Sequence, residues 1–116
     1  MAVLQTIEIP KWVLALANNV YDIERKLARH GDPAGIGRNV EKFKEALEIF
    51  PIFYEDPMGQ PFKETRTDLE ATITGVETTD LVVVEVIKPI IRAGHPEASF
   101  VVQKGIVVVQ SKATGA

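Results

Sequence analysis

The stretch FYEDPMGQPF, residues 53–62, sets two prolines and a glycine between aromatic ends. Asp56-Pro57-Met58-Gly59 has Asp first, Pro second and Gly fourth, the composition of a type I turn. Pro61 holds Gln60 extended, and Phe53 and Phe62 are placed to anchor the two ends. A stiff segment is useful where two parts of a chain must keep one angle, and here the two sides differ in period. Upstream the apolar spacing is helical; beyond about residue 69 it is strand-like.

Upstream, Val13, Leu16, Val20, Ile23 and Leu27 form one set spaced alternately by three and four, and Ile36, Val40, Phe43, Leu47 and Phe50 form a second. Each is a heptad seam, a narrow apolar stripe on one helix face. Pro10 stands near the start of the first helix, where its missing N–H costs little. Gly31, Asp32 and Pro33 end that helix, Gly35 and Gly37 loosen the turn, and Pro51 ends the second helix. So short a loop makes the helices antiparallel. Ordering backbone costs about 1–2 kcal/mol per residue, and two narrow seams packed only on each other return too little. A second copy of the hairpin is one remedy, giving a homodimer whose interface is Val13, Leu16, Val20, Ile23, Leu27, Ile36, Val40, Phe43 and Leu47. The alternative is that the hairpin packs on the strands of its own chain.

Downstream, Leu69, Ala71 and Ile73 alternate with Glu70, Thr72 and Thr74. Residues 81–87, 100–102 and 106–109 are rich in Val and Ile, the composition of short strands. Pro89 predicts a bend or an edge strand. Val3, Gln5, Ile7 and Ile9 suggest one more short strand. The fold expected is therefore α+β: an antiparallel helical hairpin forming a dimeric four-helix bundle, followed by a small all-β head domain. Its parts are an N-terminal segment over 1–11, the hairpin over 12–52, the rigid connector over 53–62, the head over 63–112 and a frayed tail over 113–116.

The bulk composition fits this. Among 116 residues, 46% are apolar and 25% charged, so a folded core is expected. A net charge of −3 with mixed signs argues against tracking a phosphate backbone. The absence of cysteine removes disulfides and thiolate chemistry and fits a cytoplasmic location. No apolar run reaches the roughly 18–20 residues of a membrane span, and the first twelve residues make a poor signal peptide.

Chemistry-bearing patterns are sparse. His30 and His95 each sit in a loop-like context without a second ligand at metal spacing. No nucleophile elbow, P-loop or dinucleotide fingerprint occurs, and Gly35-Ile36-Gly37 has the wrong context for one. Asp22, Glu24, Glu41, Glu45, Glu48, Glu55 and Asp56 read mostly as solvated helix faces, with Glu41 and Glu45 in reach of Lys44 or Arg38. Trp12 reads as a staple against the bundle end or the β domain. Neither an enzyme nor a cofactor or metal site is expected.

Three blocks resemble the C-terminal half of GrpE, the dimeric nucleotide exchange factor of DnaK-type chaperones. Ile23-Glu24-Arg25-Lys26-Leu27 is similar to the family's L-E-R-A-L. From Gly35 to Pro57 the family's order of glycine, apolar positions and Asp-Pro runs without a gap. Asp56-Pro57-Met58-Gly59-Gln60-Pro61-Phe62 is close to its D-P-x-G-x-P-F connector. Residues 83–87 and 101–109 resemble its closing strands. The likeness spans about residues 12–112, and the connector is its most specific part.

The resemblance implies a co-chaperone that binds the ATPase domain of a DnaK-type partner and promotes ADP release. It nominates Phe62, Ile87 and Val109 as an apolar partner-binding patch, with Arg25 as a polar contact. The chain departs from the family in four places, one of them around Pro89-Ile90, which stand where the family has a glycine turn between strands. Only eleven residues precede Trp12, where the family carries a long upstream helix. The chain reads Lys63-Glu64-Thr65-Arg66-Thr67-Asp68-Leu69-Glu70-Ala71 where the family has D-P-N-x-H-E-A. It also carries an enlarged loop over 94–99. These departures motivate a second reading, a dimeric scaffold or adaptor with the same fold and a different partner.

Overall fold

A computed structural model describes residues 9–112. Helix α1 runs Lys11–His30 and α2 runs Gly37–Leu47. Six strands follow: β1 Ile52–Glu55, β2 Leu69–Ile73, β3 Leu81–Lys88, β4 Ile90–His95, β5 Ala98–Gln103 and β6 Gly105–Ser111.

Helix α1 starts on Pro10, whose carbonyl accepts from Val13 N–H at 3.0 Å. It ends at Gly31, whose φ of 83° few other residues adopt and whose N–H returns to Leu27 O at 2.8 Å. Helix α2 is capped from four residues upstream: the two Asp32 carboxylate oxygens accept from Ile36 N–H and Gly37 N–H at 2.7 and 2.8 Å. It stops at Leu47, before Pro51, because residues 48–50 tighten into turns.

The strands form two three-stranded sheets. Sheet A has the order β1-β4-β5, all antiparallel; sheet B has the order β2-β6-β3, with β2 parallel and β3 antiparallel to β6. The chain crosses from B to A at Pro89 and back at Lys104. Sheet A is the middle layer. On β4, Ile90 joins the core shared with sheet B, while its neighbour Ile91 joins the core under the helices. Val101 and Val102 of β5 divide the same way. Successive strand residues point to opposite faces, so a strand covered on both faces reads as consecutive apolar residues and not as an alternation. That is why β4 did not stand out in the sequence.

The dimeric four-helix bundle is corrected here. Among the described residues there are two helices, one long and one short, beside two sheets of six strands in all, and no four-helix bundle. The reason lies in how the seams divide. Val13 and Leu47 pack with Ala17 on Ile52 and Ile91 of sheet A, and Val20 and Val40 are also buried. Leu16 and Leu27 are half-buried, while Ile23, Ile36 and Phe43 stay exposed. The hairpin thus packs on its own strands through a stripe wider than a heptad seam.

The connector is itself strand structure. Its first half is β1, and its second half lies along the free side of β3. The short strand expected over Val3–Ile9 falls outside the described residues except for Ile9, which packs against the core under the helices. The tail expected to fray over 113–116 also lies outside them. Residues 94–99, expected as an enlarged loop, are mostly hairpin: β4 and β5 pair through His95↔Ala98, with Pro96 and Glu97 at the tip.

Candidate protein-binding surface

The turn in the connector closes one residue later than the sequence suggested. Gln60 N–H donates to Pro57 O at 3.1 Å, and Gly59 takes a φ of 79° at the third position. Asp56 Oδ1 accepts Met58 N–H at 3.0 Å, which fixes the entry to the turn. Beyond it, Gly59 N–H donates to Val83 O, Val83 N–H to Gln60 O, and Phe62 N–H to Leu81 O, at 2.8–3.0 Å. These bonds cover the outer edge of β3 over its first three residues, 81–83, and Pro57 is buried beside them.

Helix α1 is tied to this frame by side chains. The Tyr21 hydroxyl donates to Asp56 Oδ1 at 3.1 Å, and its ring meets Tyr54 edge-on at 5.5 Å. The Tyr54 hydroxyl donates to Glu24 Oε1 at 2.9 Å, and Glu24 Oε2 holds Lys44 of α2 at 3.1 Å. Burial, then the Asp56 carboxylate, pushes the Tyr21 phenol above its ordinary pKa; burial, then the Glu24 hydrogen bond, does so for Tyr54. Both phenols therefore stay protonated donors. The Arg25 guanidinium lies 5.5 Å from the centre of the Tyr21 ring, and its Nη1 donates to Val86 O at 2.6 Å. Asn18 and Gln103 exchange amide hydrogen bonds at 2.9 and 3.0 Å, and Gln103 also donates to Pro89 O.

Between α1 and the β3–β4 crossing lies an open cleft of about 340 Å³, bordered by Asn18, Asp22, Arg25, Ile87, Lys88 and Pro89. Two residues nominated from the sequence, Arg25 and Ile87, meet here. Ile87 is 56% exposed. Phe62 is elsewhere: it is half-buried against the core and borders a second cleft with Lys63, Ile73 and Asp80. Val109 needs correcting as a surface residue. Its exposure is 0%, and it packs with Val83 and Val107 in the core between the sheets.

Sequence reasoning passed over Val84 and Met58, both exposed apolar side chains. Val84 has no partner on β6. Met58 lies beside the same strand, because the next residue, Gly59, bonds to Val83 O. The sequence carried no signal for Val84, since the uniform run Leu81-Val82-Val83-Val84 does not mark which of its residues faces out. His30 and His95 are both exposed, and no cluster of three or more potential metal ligands forms among the described residues. No helix among them is long and apolar enough to cross a membrane. Comparison with family models, curated proteins and solved structures gave no match.

Proposed function

We propose that this chain is a GrpE-like co-chaperone that binds the ATPase domain of a DnaK-type chaperone in the cytoplasm and promotes ADP release. The observation that carries the reading is the exposed Ile87 beside Arg25, on the strand whose first residues, Leu81 and Val83, are bonded to the D-P-M-G-Q-P-F segment that the family resemblance rests on. An exposed aliphatic residue on a rigid frame suits docking to a folded partner. The role needs no catalytic side chain. The factor binds the open form of the nucleotide cleft more tightly than the closed form, and that difference in affinity moves the equilibrium. Self-association through the exposed hairpin residues belongs to the same proposal.

The test is release of a fluorescent ADP analogue from a DnaK-type chaperone. Added chain is expected to accelerate release, and Ile87→Asp to abolish the acceleration while leaving the fold intact. An unchanged rate at saturating chain refutes the proposal. The second reading, an adaptor of the same fold, is favoured by the segment 63–68. There Arg66 and Asp68 form an internal ion pair where the family has a different sequence. Capture of a defined partner other than a DnaK-type chaperone, with no effect on ADP release, would select it.

A further inference from the structure

Two residues of β3 lack a partner on β6, and both are exposed and aliphatic. The register passes from Val83↔Val109 to Glu85↔Val108, and from Val86↔Val107 to Lys88↔Ile106, so Val84 and Ile87 are the extra residues of two bulges. Regular pleating would put Val83 and Val86 on opposite faces. Both are buried, so the first bulge shifts the phase of the strand between them. The second turns Ile87 out beside the cleft. A bulge interrupts the ladder and leaves backbone groups in need of partners. The carbonyl immediately before the second bulge, that of Val86, receives Arg25 Nη1 at 2.6 Å.

Arg25 is held on its other side by the Tyr21 ring, and Tyr21 is in turn fixed by Asp56. Of the acidic side chains on the same helix, Asp22, which borders the same cleft, is paired with Lys26 at 3.0 Å, and Glu24 is engaged by Tyr54 and Lys44. The guanidinium is thus committed to the chain's own backbone and is not presented as a free cation.

We propose that Arg25 is a positioning residue: it holds the second bulge of β3 by a charge-assisted bond to Val86 O and so sets the direction in which Ile87 is offered to the partner. This rests on Ile87 being a contact in the function proposed above. Arg25 itself does not touch the partner.

The test has two arms. In the free chain, backbone amide exchange over residues 84–88 and the Ile87 methyl signal are recorded for the native protein, Arg25→Met and Arg25→Lys. Global stability is followed in urea. Arg25→Met keeps the aliphatic stem and loses the donors. Exchange over 84–88 is expected to rise about tenfold beyond any global change, and Arg25→Lys, with one donor able to reach the carbonyl, to restore part of the protection. Exchange that rises only in step with global unfolding, or not at all, overturns the proposal. In the second arm, binding to the chaperone ATPase domain is measured for Arg25→Met, Ile87→Ala and the double variant. Arg25→Met is expected to weaken binding about tenfold alone, and less than about twofold when Ile87 is already Ala. Additive losses mean that Arg25 meets the partner directly and also overturn it. A native chain that binds no ATPase domain refutes the proposed function, and the first arm then decides alone whether Arg25 holds the bulge.

Discussion

Asp68 shows how much of this fold turns on a single carboxylate. Its Oδ1 accepts Arg66 Nε and its Oδ2 accepts Arg66 Nη2, both at 2.9 Å, while Arg92 Nη2 approaches Oδ2 at 3.3 Å. Arg66 also donates to Gln60 and to Pro61 O. Glu55 Oε1 lies 2.9 Å from Arg92 Nε as an ion pair, off the line of the N–H. One network therefore links β1, the connector, the start of β2 and β4, joining sheet A to sheet B. The hydrogen bonds from Arg66 hold the Asp68 carboxyl below the usual carboxylate range. Its stabilisation is present above the unfolded pKa of about 4 and is lost as pH falls through the lower folded value. Asp68→Asn is expected to cost about 1–3 kcal/mol at pH 7, since it leaves two half-buried guanidinium groups short of an acceptor. The difference between native chain and variant should shrink as pH drops below about 4, read from urea midpoints at several pH values. Gly105 is a steric counterpart. A Cβ there would stand 2.8 Å from Leu69 Cδ2 and 3.0 Å from Ile90 Cγ1, both on buried side chains. Gly105→Ala should therefore cost about 1–3 kcal/mol through overpacking, seen as a lower urea midpoint with unchanged slope.

Among the elements, α2 depends most on one residue. Its first N–H groups have no partner within the helix, and the two Asp32 oxygens supply acceptors for two of them. Asp32→Ala should cost about 0.5–2 kcal/mol, with the loss of far-ultraviolet helical signal preceding loss of the strands in a thermal melt. Asp32 was read in the sequence as part of the stop for α1, and its service to α2 was not visible because it acts across a four-residue loop. The same holds more widely. Helices α1 and α2 and strand β2 were legible because a periodic stripe of apolar residues meets one face, and β6 because it is a run of Val and Ile. β1 and β4 were not, since each is short, follows a proline and lies in a sheet covered on both sides. In β3 the strand itself was legible but its phase was not. A run of Val and Ile gives no sign of where a bulge falls, so Val109 and Ile87 looked equivalent, yet one is core and the other is surface. The heptad seams misled for a related reason. Spacing by three and four marks a stripe, but a sheet takes a wider one, so Ala17 and Tyr21 joined the buried face while Ile23 left it.

At the scale of the molecule, the hairpin reaches beyond the sheets. The radius of gyration is 16.2 Å, against about 13 Å for a compact domain of about 100 residues. The ties between hairpin and strands run along α1 from Val13 to Arg25 and along α2 through Lys44 and Leu47, so the end carrying the α1–α2 loop projects. Along it Ile23 and Ile36 are exposed; at the other end Phe43 lines a cleft with Trp12, Leu16 and Phe50, Trp12 meets Phe50 edge-on at 6.0 Å, and all three aromatic rings remain partly open to solvent. Apolar residues left exposed on the hairpin, above all the Trp12, Phe43 and Phe50 cluster, favour self-association, because burying them against a like surface removes apolar area from water without disturbing either core. Sedimentation of the native chain over about a hundredfold range of concentration should then show a monomer giving way to a dimer by mass action. Phe43→Glu should hold it monomeric at every concentration. That substitution changes a side chain that is 46% exposed, so the near-ultraviolet spectrum and the hydrogen-bonded frame around Tyr21 and Tyr54 should persist. A native chain that stays monomeric throughout would leave the hairpin's apolar residues without this role, and the presentation of Ile87 would have to be understood from a single copy.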